Sequence, residues 1–199
     1  MLFRSLQEET DPAQIKQYAT SIVEHGKRMA SIVRDFTGQA GKQFAEGPSS
    51  ININELLEQS LATVKALFPS ISVEVQTHLE TLPLIQGQAF ELGQAFTNIL
   101  TNAYQAMKQG GHLHISTACS EHNLEISITD TGIGIAPHHL PKIFDPFFTT
   151  KGQGEGSGLG LTVAYRTIHK LGGEIRMDST PNRGTTCLIT LPLSPSLVK

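Results

Sequence analysis

QAFELGQAFTNILTNAYQAMK, residues 88–108, is the stretch on which the reading of the fold turns. Leu92, Phe96, Ile99, Ala103 and the Ala106/Met107 pair recur at spacings of three and four, the period of a helix that buries one stripe. Glu91, Gln94, Asn98, Asn102 and Gln105 form a second stripe on the same helix. Asparagine is a mediocre helix former, so two of them one turn apart in an apolar stretch need a reason. A solvated face is the plain reading. The sharper one is a row of oxygen ligands turned toward a hydrated cation, because magnesium keeps several waters and takes few protein ligands. Gly110-Gly111 stops the helix.

Working outward, residues 112–118 and 123–129 alternate at period two across a polar turn and predict a hairpin. Upstream, residues 51–53 and 71–77 read as strands, 82–86 as a weaker one, and 54–68 as a helix with Leu56, Leu57, Leu61, Val64 and Leu67 on one side. Downstream, a helix is predicted from about 158 to 171 and strands over 174–178 and 185–191. Helices grouped with a mostly antiparallel sheet give an α+β, two-layer α/β sandwich. Residues 13–40 carry a different signal. Ile15, Ile22, Met29 and Phe36 recur every seven residues, with Tyr18, His25 and Ile32 on the other seam, so a long helix seeking a helical partner is expected there. Gly41, Gly47 and Pro48 mark a linker, which divides the chain into 1–45 and 46–199.

The chain has 199 residues, enough for one domain plus a small appendage, and at 39% hydrophobic it can bury a core. The net charge of −3 argues against nucleic acid. No apolar run approaches the roughly 20 residues that span a bilayer, so no membrane contact is expected of these residues. Two cysteines, Cys119 and Cys187, favour a reducing, cytoplasmic setting. His112 with His114, and His138 with His139, lack the carboxylate or thiolate company of a zinc site.

Between residues 130 and 157 lies an irregular stretch too long for an ordinary connection. Asp130-Thr131-Gly132-Ile133-Gly134-Ile135 ends a strand with a carboxylate and then lets the backbone approach something closely. Gly156-Ser157-Gly158-Leu159-Gly160-Leu161 opens a helix, where bare N–H groups at the positive end of the dipole suit an anion, most often phosphate. A dinucleotide-binding turn is excluded by pattern, since no register gives G-x-G-x-x-G/A.

Taken together, Asn98-Ile99-Leu100-Thr101-Asn102-Ala103, Asp130-x-Gly132-x-Gly134, Phe144-Asp145-Pro146-Phe147-Phe148-Thr149-Thr150-Lys151 and Gly156 to Leu161 closely resemble the four boxes of sensor histidine kinases, in order and spacing. These kinases share an ATPase fold, the Bergerat fold, with gyrase, Hsp90 and MutL. The resemblance covers roughly residues 50–192, and the helix at 13–40 resembles the second helix of the family's dimerisation and phosphotransfer hairpin.

The resemblance implies an ATP pocket under a mobile lid. Asp130 would accept the adenine amino hydrogen, with Gly132, Gly134 and Ile135 letting the base lie against the backbone and Thr186 bordering it. Asn102 would ligate Mg²⁺. Asn98 would be the catalytic-box residue, holding the metal's water shell or the phosphates; an amide cannot act as a base, which suits transfer to a histidine over hydrolysis. Gly156, Ser157, Gly158, Leu159, Gly160 and Leu161 would hinge the lid and offer amides to the phosphates, Lys151 would add a positive charge, and Phe144, Phe147 and Phe148 would anchor the lid. The implied partners are ATP, a response-regulator receiver domain, and a second copy in the whole protein. The family's acceptor histidine precedes an acidic residue and a later proline, and no such string occurs here. The chain is therefore expected to begin within the first hairpin helix, to bind ATP and not to phosphorylate itself. A non-catalytic ATP-binding scaffold and a serine-directed relative are the rival readings.

Overall fold

In the computed structural model, residues 49–152 and 156–193 are described, together with Tyr18. The first domain expected, residues 1–45, lies outside these residues apart from Tyr18. The described chain runs β1 (Ser49–Ile51), α1 (Ile53–Leu67), β2 (Val73–Leu79), β3 (Ile85–Gly87), α2 (Ala89–Ala106), β4 (Gly111–Cys119), β5 (Asn123–Asp130), α3 (Gly160–Lys170), β6 (Glu174–Thr180) and β7 (Gly184–Pro192). A single turn of 3₁₀ helix, Leu140–Lys142, interrupts the stretch between β5 and α3.

Five strands form one sheet in the order β2-β4-β5-β7-β6. Three of its ladders are antiparallel, and β2 lies parallel to β4. The parallel pair follows from the connection: α2 sits between β2 and β4 and carries the chain back to the starting end. Alternation sets the two faces. Leu124, Ile126 and Ile128 on β5 and Cys187, Ile189 and Leu191 on β7 are buried, while Glu125 and Leu188 between them are exposed. The three helices cover the buried face, giving the two-layer α+β arrangement that the pattern predicted. β1 and β3 pair separately as a two-stranded antiparallel ladder, and Ile51 and Ile85 from it enter the same core.

The first strand is displaced from expectation, because Asn52 caps the helix that follows. Its Oδ1 accepts from the Asn54 and Glu55 amides at 3.1 and 3.4 Å, and its Nδ2 donates to Glu55 Oε1 at 2.8 Å. This satisfies orphan donors of the first turn, so Ile53 is helical and the strand ends at Ile51. α2 fulfils its stripe: Leu92, Phe96 and Leu100 have no exposed surface and Ile99 is buried. Burial of side chains of this size contributes about 1.5–3 kcal/mol each. At Gly93 the absence of a side chain lets Leu56 of α1 approach, and Ser60 Oγ donates to the Gly93 carbonyl at 3.3 Å. Among the described residues no helix is long and apolar enough to cross a membrane.

Candidate functional site

β5 ends its buried stripe on Asp130, the fourth inward position after Leu124, Ile126 and Ile128. The helical cover stops there, and a cavity of about 610 Å³ opens between α2, the loop after β5 and the start of α3. Its apolar lining includes Ile128, Ile143, Met177 and Cys187, and Asp130 contributes a carboxylate that is 6% exposed. A concave apolar space with a few aimed polar groups is the usual form of a small-molecule site. Burial pushes the Asp130 carboxyl above the usual aspartate range, against the opposing effect of backbone hydrogen bonds from Gly132 and Thr185. The Gly132 amide donates to Oδ1 at 2.8 Å. The same kind of burial raises the Cys187 thiol to about 12, so this lining group stays protonated.

The glycines of the first loop meet structural needs that the sequence had assigned to a ligand. Gly132 does not line the cavity; besides its bond to Asp130, a Cβ there would lie 2.7 Å from Ala106 of α2. Gly134 lines it with a φ of +66°, and a Cβ would lie 2.2 Å from the Thr180 carbonyl oxygen, so the close approach is to the end of β6. Ile135 lines the cavity, and its amide donates to Ser179 Oγ at 2.8 Å. That hydroxyl also lies 2.9 Å from the Gly184 carbonyl and from Thr185 Oγ1, which ties loop, β6 and β7 together.

Thr186 is a correction. It faces away from the cavity and shares a hydrogen bond with Thr129 at 3.0 Å, while Thr185 and Cys187 line the cavity. Strand parity explains it: Thr185 stands in step with inward Cys187 and Ile189, Thr186 with outward Leu188. The same parity, read from the sequence, would have found Thr185. Ser179 carries no comparable signal.

On α2, Asn98, Asn102 and Gln105 all line the cavity. Gln94 Nε2 donates to Asn98 Oδ1 at 3.0 Å, and Asn98 Nδ2 donates to the Gly160 carbonyl at 3.1 Å. Asn98 thereby ties α2 to the first turn of α3. Lys151 Nζ donates to Asn102 Oδ1 at 2.9 Å and also to Gln105 Oε1. The two amide oxygens converge on one positive point, the donor set that a hard cation such as Mg²⁺ accepts. Among the described residues no group of three His, Cys, Asp or Glu side chains comes together.

The lid expectation divides. Gly156, Ser157, Gly158, Gly160 and Leu161 line the cavity, whereas Leu159 is 3% exposed and belongs to the core. Gly158 takes a φ of +71°, and a Cβ would lie 2.4 Å from the Phe147 carbonyl carbon. The Phe144 ring packs on Tyr165 of α3 at 5.1 Å, and its carbonyl accepts from Thr162 Oγ1 at 3.0 Å. Phe148 lines the cavity and lies 5.4 Å from the His139 ring. The Phe147 N–H donates to the Gly158 carbonyl at 3.0 Å from a left-handed conformation, and the residue is 56% exposed.

Comparison with known proteins identifies the family. Residues 87–195 match the family described as histidine kinase-, DNA gyrase B-, and HSP90-like ATPase. The sensor histidine kinase ZraS of Escherichia coli (strain K12) is 36% identical over 146 residues, 73% of this chain and 31% of that one. The solved structure of the mycobacterial sensor histidine kinase MprB is 30% identical, covers 74% of this chain and 99% of its own, and superposes with a TM-score of 0.63. Histidine kinase ThkA, solved in complex with the response regulator protein TrrA, has a TM-score of 0.69 at 21% identity, over 98% of this chain and 56% of its own; it is alike in fold. The chain spans 24–40% of the length of curated relatives such as ZraS.

Proposed function

The chain belongs to the histidine kinase-, DNA gyrase B- and HSP90-like ATPases and carries the ATP-binding catalytic domain of sensor histidine kinases, and from that premise we propose that it passes the γ-phosphoryl group of ATP to a protein histidine. The observation that carries the reading is Asp130, a buried carboxylate at the apolar end of a cavity whose other end is the amide-rich start of α3. An adenine amino group matches the first and phosphates match the second. Thr185, held by Ser179, borders the base in place of Thr186.

Asn98 fixes the start of α3 against α2, which orients the amides of Gly158 and Gly160 toward the phosphates. Its amide takes up no proton, so nothing at that position activates water. In the transfer step the bond from the γ-phosphorus to the bridging oxygen breaks, one to an imidazole nitrogen of the acceptor forms, and ADP leaves. Asn102 would hold Mg²⁺, and the metal when bound neutralises phosphate charge. An oxygen of ADP and a histidine nitrogen exchange a phosphoryl group with little covalent help from protein, so positioning by these side chains is the main contribution. A receiver domain of a response regulator is the onward acceptor, and a homodimer is the assembly of the whole protein.

The test uses γ-labelled ATP. The 199-residue chain alone is expected to retain no acid-labile label, whereas a fusion to a helical hairpin bearing the phospho-accepting histidine of a sensor kinase is expected to retain it. No label on a folded fusion that binds ATP would overturn the reading, whereas acid-labile label on the chain alone would overturn only the expectation that it carries no acceptor.

A further inference from the structure

Asn102 and Gln105, both half-buried on α2, turn their carbonyl oxygens to one ammonium, that of Lys151. An amide side chain can present either its oxygen or its NH₂ group, and here both present oxygen. Lysine is a compact, strongly hydrated point charge with three donors, the side chain that most nearly imitates a small hard cation. The three groups meet in the cavity below the first turn of α3, where a nucleotide's phosphates would lie. Lys151 reaches this place from a backbone turn in which its own N–H donates to Thr149 Oγ1 at 3.1 Å.

Resting on the nucleotide reading above, we propose that Gln105 joins Asn102 in holding the divalent cation that accompanies the nucleotide, and that the Lys151 ammonium competes with that cation for the same two oxygens. Mg²⁺ binds oxygen at about 2.0–2.1 Å and tolerates little departure from its geometry. An ammonium and a metal ion on one pair of oxygens repel each other, since both are positive and would lie only a few ångströms apart. Metal entry therefore displaces Lys151, and the displaced ammonium remains within its own side-chain length of the phosphates. Gln105 sits three residues past Asn102, on the same stripe of the helix, so its oxygen reaches the metal directly or through one coordinated water.

Manganese, a divalent ion of similar preference, reports the site by electron paramagnetic resonance of the free ion. With ADP bound, Gln105→Leu is expected to weaken Mn²⁺ binding about tenfold, the scale of losing one group that supports a metal. Gln105→Glu, which restores an oxygen and adds charge, is expected to bind Mn²⁺ at least as tightly as the parent. Lys151→Met is expected to tighten Mn²⁺ binding severalfold by removing the competitor. Unchanged Mn²⁺ affinity in Gln105→Leu, or weaker Mn²⁺ binding in Lys151→Met, overturns the proposal while leaving the nucleotide reading standing. Absence of ADP binding by the folded parent chain in both EDTA and Mn²⁺ overturns the nucleotide reading instead.

Discussion

Replacing Asp130 with alanine is expected to weaken ADP binding about a hundredfold, measured by calorimetry, with the melting temperature nearly unchanged. A hydrogen bond to a charged group contributes about 1.5–3 kcal/mol, and the upper part of that range is about a hundredfold in affinity. Stability should move little because two effects oppose. The variant leaves the Gly132 and Thr185 amides without their carboxylate, and it also removes a charge that burial disfavours. The conservative change Asp130→Asn keeps one acceptor oxygen without the charge, so its affinity should fall between those of the parent and Asp130→Ala.

The same carboxyl makes a pH prediction. Its value in the folded protein is raised, so between the usual aspartate value and the raised one the folded state holds the proton more tightly than the unfolded chain. Asp130 thus favours folding fully below the usual value, and the contribution is lost as pH rises through the raised one. Binding runs the other way. Only the ionised group is a full acceptor for the adenine amino hydrogen, so ADP affinity should decline on acidification from a pH above the ordinary aspartate range. A titration of affinity against pH checks this, and the acid-side decline should be missing in Asp130→Ala.

Gly184→Ala is expected to be the most damaging single-methyl change in the described residues around the site. Gly184 has a φ of +103°, and a Cβ would lie 1.9 Å from the Asp130 carbonyl oxygen. A side chain at positive φ costs about 1–2 kcal/mol by itself. Relief of the contact would also part β7 from β5 at the Asp130–Thr185 pair. A loss of about 3 kcal/mol would lower the melting temperature by about 6–12 °C in a domain of this size, and ADP binding should fall with it because Asp130 is displaced. Gly160→Ala makes the contrast. It lies in the most glycine-rich segment, yet a Cβ there would meet only Asn98 at 3.5 Å, an ordinary contact. That variant should keep or slightly raise stability, by up to about 1 kcal/mol. Thermal denaturation of both variants separates glycines that the backbone requires from one that it does not.

The amphipathic stripes of α2 and the β4–β5 hairpin were legible because period and burial coincide: Leu92, Phe96, Leu124 and Ile126 lie where alternation puts them. The glycine-rich boundaries of the cavity were legible too, although the reasons for individual glycines were not. Gly132, Gly134 and Gly184 answer to Ala106, Thr180 and Asp130, neighbours distant in sequence that only the folded chain brings close. β1 was misplaced by two residues because Ile53 looks like a strand residue until Asn52 and Glu55 are read together as a cap. Asn98 was legible as part of a polar stripe, and the resemblance gave it the metal's water shell or the phosphates; its bond to Gly160 depends on α3 docking beside α2. The Lys151 contact with Asn102 and Gln105 depends on a loop folding back over more than 45 residues of chain, which no local pattern encodes.

The small ladder of β1 with β3 has a mechanical consequence. β3 ends at Gly87 and α2 begins at Ala89, so one residue separates the strand that grips Ser49–Ile51 from the helix that bears Asn98 and Asn102. Ile51 and Ile85 root that grip in the core. A displacement of Ser49–Ile51 would therefore reach the foot of α2 through three paired residues and one linking residue, and α2 is the 18-residue helix whose Asn98 and Asn102 line the cavity.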